Sequence, residues 1–317
     1  MPSAKRLLLC SLILALGLAE FGCATVKTPS NMTLVPTQYQ TRTGPYCVFT
    51  NTPVAADAPA IRHLQSLEKQ IESTLGLRVP AGSDPIEVYI LDSPEAFRHF
   101  LTFYFPELPT RRAFFLAQGT RRVVYTYQGT RLEEDLRHEA THALLHAAVP
   151  DLPLWLDEGL AEYFEVDESR DGRNAEHLAR LPDDFESGFE PDLKRLESLK
   201  DVRKMTPRDY RESWAWVHYF LNGPPTAKAA LLGYLADRRA DGNEKPLSKK
   251  LKSIDPDAAA KLVSHVEATR EADQLAVKPD PNGEAGSTVR FQDRPLDPRT
   301  ASRRKGPFSR FATLFGF

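Results

Sequence analysis

The feature that most constrains this chain is a pair of helical segments joined by a link bounded by two prolines. Leu132 to Val149 reads as one helix, stopped at Pro150, and Pro153 to Phe164 reads as a second. A link this short favours an antiparallel pair. The first helix carries His138-Glu139-Ala140-Thr141-His142. Residues four apart lie on one helical face with Cβ atoms about 5–6 Å apart, so two imidazoles can converge on one metal ion. Ring nitrogens at about 2 Å suit zinc. Glu139 follows the first His and projects beside the ion, placed to take a proton from water that zinc makes acidic. The other face (Leu136, Ala140, Ala143, Leu144, Ala147) is small and apolar, as a helix packed in a core requires. For the motif taken alone, the competing account is an amphipathic helix with ordinary surface His and Glu.

The second helix contains Trp155-Leu156-Asp157-Glu158-Gly159-Leu160-Ala161-Glu162. After H-E-x-x-H, this string resembles the W-L-N-E-G-x-A-E segment of the gluzincin metallopeptidases, the peptidase-MA-like superfamily, and bacterial secreted members above all. The resemblance covers residues 132–165, with a vaguer likeness over 200–222. It implies a Zn2+ site of His138, His142 and Glu158, and a peptide or protein substrate. Asp157 stands where Asn is usual, and the 15 residues between His142 and Glu158 make a shorter connection than in the best-known members. Glu162, one turn beyond Glu158, is expected to accept the second N–H of a ligating His, with Asp135 a weaker candidate and a solvent-facing Glu162 the alternative.

His146 lies about 12 Å along the helix axis from His138, too far to share the ion, and is expected on the cleft wall or the surface. Leu145 and Ala148 stand where the metzincin pattern needs Gly and His. Gluzincins take a Tyr or His from their helical C-terminal half to stabilise the oxyanion. That points to Tyr210 first and His218 second, on a helical face shared with Trp214; an aromatic core stripe competes with this reading. Arg122 to Tyr127 sits where the family keeps an edge strand lining the cleft.

Around this pair the expected fold class is α+β. Strands are expected at Tyr46–Thr50, Ile86–Leu91, Ala113–Ala117 and Arg122–Tyr127, and a helix follows the apolar spacing of Ile61, Leu64, Leu67, Ile71 and Leu75. Ser93-Pro94 and Thr206-Pro207-Arg208-Asp209 open helices. These elements make a small mixed sheet with helices over 46–170, carrying the zinc helix, and a mostly helical lobe over 171–272. Residues 273–317, rich in Pro, Gly, Asp and Arg and ending in the aromatic stretch Phe308 to Phe317, read as a flexible tail.

The N-terminus reads as an export signal over 1–22. Lys5 and Arg6 precede an uncharged apolar run of 13 residues, Leu7 to Ala19, too short to span a bilayer. Gly22-Cys23 resembles a bacterial lipobox, though Glu20 and Phe21 depart from it. Cys23 is thus a lipidation candidate, with 23–45 a tether from the membrane to the body and the protein a membrane-attached lipoprotein. Ordinary cleavage would leave Cys23 free to pair with Cys47. Three Cys make no disulfide framework, and 41 Lys+Arg against 43 Asp+Glu give no basic footprint, so nucleic acid is not an expected partner. The expected function is an exported zinc metallopeptidase. The alternatives are a non-catalytic peptide- or protein-binding module on a gluzincin fold, or a metal-dependent amidase acting on cell-wall material.

Overall fold

Five short runs, most of them rich in β-branched and aromatic residues, pair into one mixed sheet in this computed structural model, which describes residues 34–149, 151–240 and 245–276. The strands are β1 (Tyr39–Thr43), β2 (Tyr46–Thr50), β3 (Ile86–Leu91), β4 (Phe114–Gln118) and β5 (Arg121–Tyr127), ordered β1-β2-β3-β5-β4. β2, β3 and β5 run parallel, while β1 and β4 are antiparallel edges. Gly44, at φ 50°, closes the turn from β1 to β2, and a Cβ there would strike the Glu68 carboxylate.

Two expectations are corrected by this order. The tether through residue 45 is a strand from Tyr39 onward, because an edge strand can be polar and still pair through its backbone. Gln40 donates to the buried Cys47 Sγ at 2.8 Å, so this thiol is a small core group. The second correction concerns Arg122 to Tyr127, which is internal rather than an edge. Val123 to Thr126 are buried, as a strand paired on both sides requires, and the free edge belongs to β4.

The helices α1 (Pro59–Leu75) and α3 (Leu132–Ala148) share one core with the inner residues of β2 and β3. α2 (Pro94–Tyr104) builds a second cluster with β4 and β5, in which Phe97, Phe100, Phe114, Val123 and Tyr125 are buried. Ser93 Oγ accepts from Ala96 N at 3.2 Å and starts α2 where the sequence places it. Among the described residues seven α-helices follow: α4 (Leu154–Phe164), α5 (Ala175–Glu186), α6 (Leu193–Ser198), α7 (Pro207–Asn222), α8 (Pro225–Ala240), α9 (Leu247–Ile254) and α10 (Ala258–Ala276). The fold is α+β.

The expected boundary at 170/171 does not separate two cores. One apolar cluster runs from Tyr46 on β2 through Trp155 and Trp214 to Val266 on α10. α4 makes this continuous: it packs on α3 on one side, and on the other Gly159 meets Ser213 and Val217 of α7. Helix α10 runs past residue 272, and Asp273 pairs with Arg170 at 3.0 Å. The signal over 1–22, Cys23 and the stretch Phe308 to Phe317 lie outside the described residues. Among the described residues no helix is long and apolar enough to cross a membrane.

Candidate metal centre

α3 and α4 lie antiparallel, tied at both ends. Near the start of α3, buried Arg137 donates to the Phe164 carbonyl in the last turn of α4 (2.9 Å) and to Gln70 on α1 (2.6 Å). It thereby satisfies a carbonyl that the end of the helix leaves open. At the other end, His146 Nε2 on α3 sits 3.0 Å from Asp157 Oδ2 in the first turn of α4.

Between these ties the three expected ligands converge. His138 Nε2 and His142 Nε2 are 3.3 Å apart, and Glu158 Oε2 lies 3.9 and 3.7 Å from them. Zinc bonds of 2.0–2.1 Å at tetrahedral angles put donor atoms about 3.3–3.4 Å apart. The triangle therefore matches three corners of one zinc tetrahedron, slightly open at the carboxylate. Two imidazoles and one carboxylate also suit zinc as a donor set. Glu139 is half-buried beside them, and its charge is felt by His138, Glu158 and Tyr210.

Each candidate ligand imidazole has a carboxylate on its far nitrogen, but not the one expected. His138 Nδ1 is 2.9 Å from Glu165 Oε2, and His142 Nδ1 is 3.0 Å from Asp157 Oδ2. Glu162 instead bonds His177 Nε2 on α5 at 2.8 Å, and Asp135 forms a two-pronged pair with Arg112 at 2.7–3.0 Å. Glu165 lies seven residues past Glu158, so helical periodicity alone puts it on the ligand face. The signal for Asp157 was its substitution for Asn. His177 carried no such signal, since α5 brings it in from outside the hairpin. Asn174 fixes this shell from α5: Oδ1 caps the helix, accepting from Glu176 N at 3.1 Å, and Nδ2 donates to Glu165 at 2.7 Å.

Carboxylates outnumber imidazoles here, and the titration shifts follow. Burial alone would lower both ligand imidazoles. Opposing it, Glu165 and its acidic neighbours hold His138 well above the ordinary value, and Asp157 and Glu158 raise His142 to about 9. Burial lifts the Glu158 carboxyl. Burial and the charge of Glu162 raise Glu165 to about 7, whereas against burial the His177 bond pulls Glu162 down to about 2. The acidic side chains thus favour positive charge on the two imidazoles.

Tyr210 and His218, taken from one face of α7, part company. Burial and the charges of Glu158 and Glu162 push the Tyr210 phenol up, which keeps its proton on as a hydrogen-bond donor. His218 lies two turns further, about 12 Å along the axis. Its ring packs on Trp214 (5.2 Å) and Tyr163 (5.9 Å), and its Nδ1 is 2.8 Å from His265 Nε2 on α10. It is a core residue and not part of the centre. Phe115 on edge strand β4 was not foreseen: its ring stacks at 6.2 Å on His142 and meets the half-exposed His146 edge-on at 5.1 Å.

The His218–His265 pair makes stability depend on pH. Burial and the neighbouring His265 lower His218 to about 3. The folded state therefore binds fewer protons than the unfolded chain below about pH 6.5, so stability is held above that pH and lost as pH falls towards 3. At pH 5 the loss should be about 2 kcal/mol. Denaturant unfolding of wild type and His218→Phe at pH 7.5 and 5 checks this; an equal acid loss in both would refute it.

The family described as "Protein of unknown function (DUF1570)" matches residues 134–240, from the first turn of α3 to the end of α8. The match takes in every ligand candidate, Glu139 and Tyr210, and it excludes the sheet. No curated protein matches the chain.

Proposed function

We propose that this protein is a zinc-dependent metallopeptidase of gluzincin type. The observation that carries the reading is the triangle of His138, His142 and Glu158 donor atoms at 3.3–3.9 Å, with a free carboxylate, Glu139, beside it. His138, His142 and Glu158 would hold the ion, and the Glu165 and Asp157 carboxylates set the orientation of the two imidazoles. When bound, zinc supplies Lewis acidity, polarising a peptide carbonyl and making water acidic near neutral pH. Glu139 accepts the proton of the attacking water and delivers it to the leaving amine. Tyr210, kept protonated by burial and by the charges of Glu158 and Glu162, would donate a hydrogen bond to the oxyanion. The free edge of β4, with Phe115 against His142, offers backbone groups for an extended peptide. Export and lipid attachment at Cys23 belong to the same proposal, placing the enzyme on the outer side of a membrane.

Metal content tests the reading first. Purified wild type should carry zinc by elemental analysis and His142→Ala should not. Asp157→Asn should bind about 10–100-fold more weakly, because it leaves His142 without an anionic partner. Zinc-loaded wild type should then cleave casein or peptide libraries. A zinc-free wild type that binds none on titration would refute the site, and a loaded protein inert to peptides but active on peptidoglycan would favour the amidase.

A further inference from the structure

We propose that the turn after α2 rests on a lipid bilayer, where Phe103, Pro106 and Pro109 form an apolar patch that enters the interface and holds the body against the membrane. The inference rests on the attachment at Cys23 in the proposed function and goes beyond it, because a tether alone leaves the body free to point in any direction.

The segment Thr102-Phe103-Tyr104-Phe105-Pro106-Glu107-Leu108-Pro109 carries a single charge. α2 turns Phe97, Phe100 and Leu101 inward, as helical spacing dictates. Phe103 lies off that face and is 63% exposed, its ring edge-on to Tyr104 at 4.9 Å. The helix then gives way to a turn, in which Leu108 N donates to the Phe105 carbonyl at 3.0 Å. A single exposed Phe is ordinary. Here Pro106 and Pro109 are exposed as well, and half-buried Phe105 and Leu108 line an open recess of about 340 Å³ with Phe97 and Leu101. A contiguous apolar surface of this kind marks a contact with something other than water.

Two observations say what covers it. The chain enters the described fold at Leu34 and Val35, and both pack on the aromatic cluster that α2 builds with β4 and β5. Cys23 lies eleven residues before Leu34, a reach of at most about 40 Å even for a fully extended chain. An anchor at Cys23 therefore keeps the patch close to lipid, where the contact is intramolecular and even a weak one is populated. The second observation is the balance of charge. Arg98 and Arg111 line the recess, but Glu95 faces Arg98 at 3.6 Å and Glu107 sits within the turn. Neither an acidic nor a basic partner is favoured, whereas rings and prolines beside a few guanidiniums suit the boundary between acyl chains and headgroups. Arg112 ties the turn to α3 through three hydrogen bonds to Asp135, three residues before His138. Docking thus sets how the candidate metal centre faces the membrane.

Indole fluorescence of the full-length protein tests this. Chain carrying Phe103→Trp is reconstituted into phosphatidylcholine vesicles and into vesicles of brominated phosphatidylcholine, which quenches indoles in the acyl region. The native Trp155, Trp214 and Trp216 are buried, and wild type reports their background. The Phe103→Trp signal should shift to the blue and lose about half or more of its intensity in brominated lipid. Because the contact is apolar, about 0.5 M salt should leave both effects in place. Ile254→Trp, at a 47% exposed position on α9, should show neither. Adding Pro106→Asp and Pro109→Asp to Phe103→Trp should abolish the quenching. Vesicle-bound Phe103→Trp protein that is not quenched, or quenching equal to that of Ile254→Trp, would overturn the proposal. So would a blue shift that follows protein concentration in lipid-free detergent, which would assign the patch to a second copy of the chain. Failure of the attachment reading shows separately, in the mass of the purified chain: without lipid on Cys23 the tether is refuted, and quenching by added vesicles, present or absent, still decides the patch.

Discussion

Replacing Glu139 by Gln should cut peptide hydrolysis about a thousandfold while leaving zinc content unchanged. The carboxylate is not part of the ligand triangle, so its amide isostere leaves His138, His142 and Glu158 in place. Its charge does act on the site, being felt by His138, Glu158 and Tyr210. On the proposed mechanism, removing it deletes the group that accepts the water's proton and returns it to the amine. The check is kcat on internally quenched peptides beside elemental analysis of the same preparation. A variant that keeps zinc and more than a tenth of the wild-type rate would remove Glu139 from the mechanism. A variant that loses zinc would mean that Glu139 supports the metal rather than the proton transfer.

The second large effect is structural. Gly159→Ala should cost about 3 kcal/mol of stability, or roughly 6–12 °C in Tm. Gly159 faces α7, where an added Cβ would meet the Ser213 carbonyl oxygen at 2.6 Å, its carbon at 2.8 Å and Val217 at 2.9 Å. Two of these atoms are backbone and cannot swing aside, so α4 and α7 must separate. Glu158, the adjacent residue, would move with the helix, and zinc affinity should fall with stability. Gly233→Ala on α8 is the control. A Cβ there meets nothing within 4 Å and the site is exposed, so helix propensity should make that change neutral or stabilising by up to about 1 kcal/mol. Thermal melts and zinc titrations of both variants decide the matter; equal Tm values would refute the packing argument.

Helical periodicity explains why much of the centre was legible beforehand. His138 and His142 share a face by spacing, and Glu158 was matched to them by the resemblance of the second helix, which the short antiparallel link then brings alongside. Four of the strands and the capped starts of α2 and α7 were equally local: alternation, Ser93 before Pro94, Thr206 before Pro207. Local pattern was silent on which strand would be the edge. Arg122 to Tyr127 and Ala113 to Ala117 both read as strands, and only insertion of β5 between β3 and β4 gave the free edge to β4. The same limit misplaced Glu162. Spacing put both Glu162 and Glu165 near the ligands, but α5 supplies His177 to Glu162 and Asn174 to Glu165, and those partners decide which carboxylate reaches His138.

His218 shows the division most clearly. A helical face is a property of sequence, so Tyr210, Trp214 and His218 do align on α7. What each meets along that face depends on the neighbouring helices: the charge of the α4 carboxylates acts on Tyr210, and His265 of α10 meets His218. The chain alone determined the spacing of the two histidines and the hairpin that brings Glu158 to them, because these follow from contacts within some 30 residues. Tertiary structure decided the carboxylate partners, the exposed strand edge and the fate of the second aromatic candidate. Those depend on residues far apart in sequence, brought together only by packing around one continuous core.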